Sequence, residues 1–222
     1  MNDVARSADG IPLHFEVEGR GTPALVFVHG WSCDRSYWSG QVAHFAEQHQ
    51  VVTIDLAGHG ESGDGRREWT MPAFGGDVVA VIEQLELREV VLIGHSMGGD
   101  VIVEVALALP ELIAGIVWVD TYSTLGEPST PEELERFVQP FREDFVPEAQ
   151  SFVRRMFVTG SNPDLVARVV AVNPDYRPND VEALARHGVE AVLMPGVGHF
   201  LMMEDPGTFN RLLGEAIEEF AP

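Results

Sequence analysis

Short apolar, β-branched runs alternate with longer stretches of helical periodicity along most of this chain. That alternation predicts an α/β architecture, a mostly parallel twisted sheet with helices on both faces. The runs at 13–17, 24–29, 51–55, 90–93, 113–120, 169–172 and 191–194 read as strands. Most are apolar at successive positions instead of every second one, as in strands covered on both sides. Helical spacing runs over 36–48, 71–87, 97–109, 180–187 and 206–220, with Pro72 suited to a first turn and Pro110 ending the helix before it.

Between 120 and 162 the alternation lapses into Pro-punctuated amphipathic pieces around 131–145 and 147–158. A lid insertion at about 121–165 in a single domain of residues 1–222 is the expected organisation, with Phe137, Phe141, Phe145, Phe152, Met156 and Phe157 packing on the sheet or lining a pocket. No internal repeat or low-complexity tract interrupts it.

Composition narrows the class of function. Of the 222 residues, 45% are hydrophobic and 22% charged, which is a globular balance. No run reaches the roughly 18 uninterrupted apolar residues of a spanning helix. The first residues, Met1 to Arg6, have no apolar core like that of a signal peptide, so a cytoplasmic location is expected. A net charge of −21 makes nucleic acids and anionic membranes poor partners and leaves a small molecule as the expected one. All 14 basic residues are arginine, which removes lysine-based covalent catalysis. Cys33 is the only cysteine and reads as a spectator thiol in a reducing compartment.

The chemistry concentrates at Gly94-His95-Ser96-Met97-Gly98-Gly99, directly after a strand and directly before a helix. A chain that reverses from strand to helix in so few residues needs small neighbours at the apex. It leaves the Ser96 hydroxyl at the carboxyl end of the sheet, with the Met97 N–H at the helix start facing the place where an oxyanion would form. A hydroxyl is a weak nucleophile until a base takes its proton. Among the eight histidines, His199 is the candidate base, since Gly196 and Gly198 let the loop after the last predicted strand turn back over the strand ends. Two acids lie between serine and histidine, Asp120 at a strand end and Asp175 in Asn173-Pro174-Asp175, and either could orient the imidazole. A second oxyanion donor is expected from the Trp31 N–H in His29-Gly30-Trp31. Trp31, Tyr37, Trp38 and Phe200, with Met202 and Met203, are the candidate substrate contacts and suit an apolar acyl or aromatic group.

Gly58-His59-Gly60-Glu61-Ser62-Gly63 satisfies a dinucleotide fingerprint, but no helix pattern follows and Glu61 would repel a pyrophosphate. No histidine or cysteine spacing suggests a metal site.

His29-Gly30-Trp31, the run from Asp55 to Ser62, Gly94 to Gly99 and Gly198-His199-Phe200 stand in an order that resembles the α/β-hydrolase superfamily along nearly the whole chain. The resemblance implies an eight-stranded sheet with an antiparallel second strand, a lid after strand six and a Ser-Asp-His triad. It matches Ser96 to the nucleophile, His199 to the base, and Trp31 and Met97 to the oxyanion donors. Most relatives carry the acid in a Gly-x-x-Asp turn after strand seven, and Asn173-Pro174-Asp175 lacks that glycine. Asp120 matches the end of strand six, from which other relatives draw it, and is the preferred acid. The stretch 163–172 is short for the family. A serine at 96 departs from the dehalogenase and epoxide hydrolase branches, which use aspartate.

The function implied is hydrolysis of carboxylic esters through an acyl-enzyme, with no cofactor. Carbon–carbon hydrolysis, lactone opening and peracid formation use the same triad. A non-catalytic small-molecule receptor is the alternative from another class.

Overall fold

The computed structural model describes residues 2–121, 130–157, 163, 165, 192 and 194–220. Contacts group the chain into two compact units, Met1–Thr121 with Asn210–Pro222, and Tyr122–Phe209.

The first unit contains a six-stranded sheet among the described residues. Its strands are β1 (Asn2–Arg6), β2 (Pro12–Glu18), β3 (Ala24–Val28), β4 (Val51–Ile54), β5 (Val90–His95) and β6 (Ile113–Val119), in the order β1-β2-β4-β3-β5-β6. β2 runs antiparallel to both β1 and β4, whereas β4, β3, β5 and β6 pair in parallel. The antiparallel second strand implied by the resemblance is therefore present. β1 is an addition, because its mixed sequence carries no strand periodicity. It forms by pairing Val4 with His14 and Ala5 with Leu13 across a tight reversal. The expected strand at 169–172 and helix at 180–187 lie outside the described residues, as does all of 191–194 except Val192 and Met194.

Parallel neighbours need crossovers, and helices supply them. A 3-10 turn (Arg35–Trp38) and α1 (Ser39–Phe45) lead from β3 to β4, α2 (Met71–Gln84) from β4 to β5, and α3 (Met97–Ala108) from β5 to β6. The predicted helix over 36–48 is thus split, its first turn being tightened by the Asp34 side chain accepting from the Ser36 N–H. Helix α2 starts where Thr70 caps the Ala73 N–H and Pro72 occupies the first turn. Every residue of β3, β4 and β5 is buried, which accounts for the lack of alternation in the sequence. Leu13, Phe15, Val26, Ile54, Val78, Ile82, Leu92 and Ile102 form much of the core between sheet and helices. After β3 the chain first goes to β4 on one side, then to β5 on the other. Such a switch point opens a crevice at the carboxyl ends of β3 and β5.

Helix α7 (Pro206–Phe220) buries Phe209, Leu213 and Ile217 at helical spacing. In the part belonging to the first unit, the Asn210 side-chain Oδ1 accepts from the buried Gln41 side-chain amide at 2.9 Å. In the second unit, α4 (Pro131–Glu143) opens on a capping box between Thr130 and Glu133. Phe137 and Phe141 of α4 meet Phe152 of α5 (Phe145–Arg154) with ring centroids 5.4 and 5.5 Å apart. The one-turn helix α6 (Leu201–Glu204) precedes α7.

One ion cluster fastens the loop after β4 to the rest of the first unit. Arg66, its side chain 3% exposed, donates to both oxygens of Asp77 on α2 at 2.9 and 2.6 Å and to both of Asp9 in the β1–β2 turn at 2.9 and 3.0 Å. Burial raises the Asp77 carboxyl above its ordinary range, and Arg66 counters only part of this. Removing one partner of a buried pair leaves an uncompensated charge. Arg66→Met is accordingly expected to cost about 3–5 kcal/mol in urea unfolding, with most of it recovered in Arg66→Met/Asp77→Leu.

Candidate active site

Ser96 follows β5 with φ 53° and ψ −122°, a conformation that L residues rarely adopt. Such an outlier costs on the order of 1–3 kcal/mol and persists only where the surroundings enforce it. Here hydrogen bonds and close backbone contacts to the neighbouring strands enforce it. The Ser96 N–H donates to Val119 O of β6 at 3.0 Å, and the Ser96 carbonyl accepts from the Gly99 N–H at 2.9 Å as α3 begins. A Cβ on Gly98 would stand 2.5 Å from Val28 O and 2.7 Å from His29 O, so only glycine lets α3 start this close to the end of β3. Ser96 and Met97 are both half-buried at the rim of the sheet.

The loop after β3 closes on the serine from the other side. A Cβ on Gly30 would lie 3.0 Å from the Ser96 Cβ, which places Gly30 in contact with the elbow. Trp31 is the next residue and is 39% exposed. The loop then passes through Ser32 at φ 58° and ends in the 3-10 turn.

Buried polar groups organise this rim. The fully buried His29 accepts the Leu56 N–H on Nε2 at 3.1 Å, so its proton is on Nδ1, 2.8 Å from Gly30 O. Burial, reinforced by the neighbouring His59, pushes the His29 pKa down to about 4, and the ring is neutral at pH 7. Asp55, with no exposed surface, accepts from the Arg35 N–H at 2.8 Å and the Glu61 N–H at 2.9 Å and pairs with the Arg35 guanidinium. The Ser62 hydroxyl donates to Asp55 O at 2.6 Å and accepts from the His14 N–H at 2.8 Å. Cys33 is buried, its thiol 3.5 Å from Trp31 O. Burial, with Asp34 nearby, pushes that thiol up to about 12, so it stays protonated and a poor nucleophile.

Asp120 follows Val119, the residue paired with His95 and hydrogen-bonded to Ser96, and so stands at the end of β6 beside the elbow. It too has a positive φ, 47°, and is half-buried. Asp175 lies outside the described residues. His199 belongs to the second unit, where it is 9% exposed. Its N–H donates to Met156 O at 2.9 Å, and the preceding Gly198 N–H donates to the Glu204 carboxylate at 3.1 Å. Its ring centroid is 5.2 Å from that of Phe200, which stacks on Phe157 at 5.1 Å.

Among the candidate substrate contacts, Trp38 is fully buried, its ring centroid 5.0 Å from Phe27 and 6.4 Å from His95. It is a core residue, because the 3-10 turn points it back into the sheet instead of outward. Phe200 and Met202 are also buried, whereas Tyr37 and Met203 are half-buried. The glycine-rich run 58–63 is a compact turn returning to Pro12 through the Gly63 N–H, and α2 starts only at Met71. It lacks the helix N-terminus that a dinucleotide phosphate would use. No cluster of three or more histidine, cysteine or acidic side chains suited to a metal is found among the described residues. No helix among them is long and apolar enough to cross a membrane. The sequence carried no signal for the roles of Arg35 and Asp55, which depend on partners 20 residues apart.

Residues 23–206 match the model of the alpha/beta hydrolase fold family, and the chain belongs to that family. It is 30% identical over 114 residues to an uncharacterized protein of Mycobacterium tuberculosis, a match covering 51% of this chain and 33% of that protein. It is 26% identical over 180 residues to 3-oxoadipate enol-lactonase 2 of Acinetobacter baylyi, covering 81% and 67%. A thermophilic esterase from Thermogutta terrifontis superposes with a TM-score of 0.82 at 23% identity, covering 100% of both chains. The chain thus spans about a third of the Mycobacterium relative and two thirds of the lactonase. Esterases and lactonases are among its homologues and structural neighbours.

Two outcomes follow from this packing. Gly98→Ala forces a methyl against two carbonyl oxygens and is expected to lose roughly 1–3 kcal/mol, read by urea denaturation. His29 contributes its full stability above pH 6.5. As pH falls from 6.5 toward 4 the unfolded chain takes up a proton that the folded one refuses, and stability drops. The loss reaches about 3 kcal/mol, and unfolding midpoints at pH 7 and 4.5 compared with those of His29→Gln should isolate it.

Proposed function

We propose that the protein is a serine hydrolase of carboxylic esters working through an acyl-enzyme. The observation that carries this reading is the strained Ser96 at the end of β5, held between Val119, the start of α3 and the Gly30 loop. A residue kept in a rare conformation at a strand-to-helix turn, with main-chain amides on both sides, is suited to nucleophilic attack and to receiving the negative charge that follows.

In this mechanism His199 takes the Ser96 proton as Oγ attacks the ester carbonyl. The tetrahedral oxyanion is received by the Trp31 and Met97 N–H groups, and His199 returns the proton to the leaving alcohol. Water then attacks the acyl-enzyme by the same route, regenerating Ser96. Asp120 holds the imidazole in its working tautomer. Its place beside Ser96 at the end of β6 supports that role over Asp175. No cofactor enters. The substrate is a small molecule with an apolar acyl or aromatic group, supported by the exposed Trp31, which follows the Gly30 packed on the elbow. Lactones are internal esters and fit the same chemistry, a second reading favoured by the similarity to an enol-lactonase.

Ser96→Ala should retain its circular dichroism and lose at least about 1000-fold in kcat on p-nitrophenyl butyrate, along with fluorophosphonate labelling. Labelling of the wild type at a residue other than Ser96, or not at all, would refute the reading. Asp120→Asn should lower kcat about 1000-fold or more while Asp175→Asn changes it little. The reverse pattern transfers the acid role to Asp175.

A further inference from the structure

We propose that His29 and Asp55 are positioning residues for the oxyanion donor, holding the Gly30–Arg35 loop at both ends so that the Trp31 N–H faces the reacting carbonyl. This rests on the reading of Ser96 as nucleophile and adds two side chains that touch no substrate.

The geometry begins with one peptide group. Gly30 C=O and Trp31 N–H belong to the same planar trans unit and point in opposite directions, so whatever fixes the carbonyl aims the N–H. Gly30 O receives the His29 Nδ1–H at 2.8 Å and the Cys33 N–H at 3.3 Å. The imidazole is itself immobile, because its Nε2 accepts the Leu56 N–H at 3.1 Å in a fully buried setting. At the other end of the loop, the Arg35 N–H donates to Asp55 Oδ1 at 2.8 Å and the Arg35 guanidinium pairs with the same carboxylate. The anchors on β4's exit are therefore consecutive residues, Asp55 and Leu56. Asp55 is fixed in turn by the Glu61 N–H at 2.9 Å. Between the two anchors the chain goes through Ser32 at φ 58°, a conformation that relaxes readily once an end is released.

The arrangement requires His29 to be one tautomer, donor on Nδ1 and acceptor on Nε2. Leucine can do neither. Glutamine offers one donor and one acceptor of similar reach and restores part of the function. Since removing an oxyanion donor outright costs about 100- to 1000-fold in kcat, misaiming one should cost about tenfold or more.

The test compares wild type, His29→Leu, His29→Gln and Asp55→Asn, using p-nitrophenyl butyrate, a trifluoromethyl ketone analogue of its acyl part, and the 15N-resolved Trp31 amide. The expected result is a kcat at least about tenfold lower in His29→Leu with KM within about twofold, partial recovery in His29→Gln, and ketone affinity falling in step with kcat/KM. The Trp31 amide resonance should shift and its hydrogen exchange quicken, while the core amides of β5 do not. Asp55→Asn keeps one acceptor oxygen and should show the same signature should His29→Leu fail to fold. Unchanged kcat and ketone affinity in a folded variant overturn the proposal, even where its Tm is lower. An inactive, unlabelled wild type would instead fail the Ser96 reading, and the Trp31 amide then decides alone whether the loop is held as described.

Discussion

The positive φ of Ser96 is the constraint around which the first unit is arranged. A parallel strand normally leaves its sheet through a relaxed loop, but here β5 turns into α3 at a single residue. The turn is stable only because β3 and β6 flank β5 in parallel register and supply carbonyls on both sides. Val119 O binds the Ser96 amide, and Val28 O and His29 O leave room for nothing larger than the Gly98 hydrogen. Burial of the three central strands supplies the rigidity that keeps these groups in place. Local strain at the apex is thus maintained by non-local packing, the usual relation at a functional site.

Buried polarity in this unit is concentrated at the carboxyl ends of the strands. His29, Asp55 and His95 lie there with almost no exposed surface, whereas the centres of β3 to β5 are almost wholly apolar. A polar group in that position costs free energy unless it is bonded, so it survives where its bonds fix something else. Asp55 joins the 3-10 turn, the end of β4 and the turn at 58–63 through one carboxylate. Arg66 does comparable work further out, tying that same loop to the β1–β2 reversal and to α2. The loop after β4 is consequently a structural brace, which explains a glycine pattern that otherwise looks like a nucleotide motif.

The strongly acidic composition stands apart from these contacts. Acidic residues outnumber basic ones 35 to 14, and Arg35 and Arg66 each engage more than one carboxylate. Scarce cations are placed where a single guanidinium, with its fork of donors, can join several elements. The net charge of −21 that results favours solubility.

Periodicity and motif chemistry carried much of this in the sequence alone. The apolar runs located β3 to β6, helical spacing located α3 and α7 nearly to the residue and α2 to within three residues at its end, and Gly94 to Gly99 between a strand and a helix identified the elbow. These features are local, set by side-chain spacing and small residues within a few positions, so they can be read in one dimension. Strand β1, the inward turn of Trp38, the His29 tautomer and the Arg35–Asp55 bond could not be read that way. Each depends on a partner brought close by strand pairing: β1 by β2, Trp38 by Phe27, His29 by Leu56, Arg35 by Asp55. The sequence by itself determined which residue is presented at the end of β5. The tertiary structure decided how it is held and which neighbours aim at it, because hydrogen-bond direction and burial exist only once distant segments share a sheet.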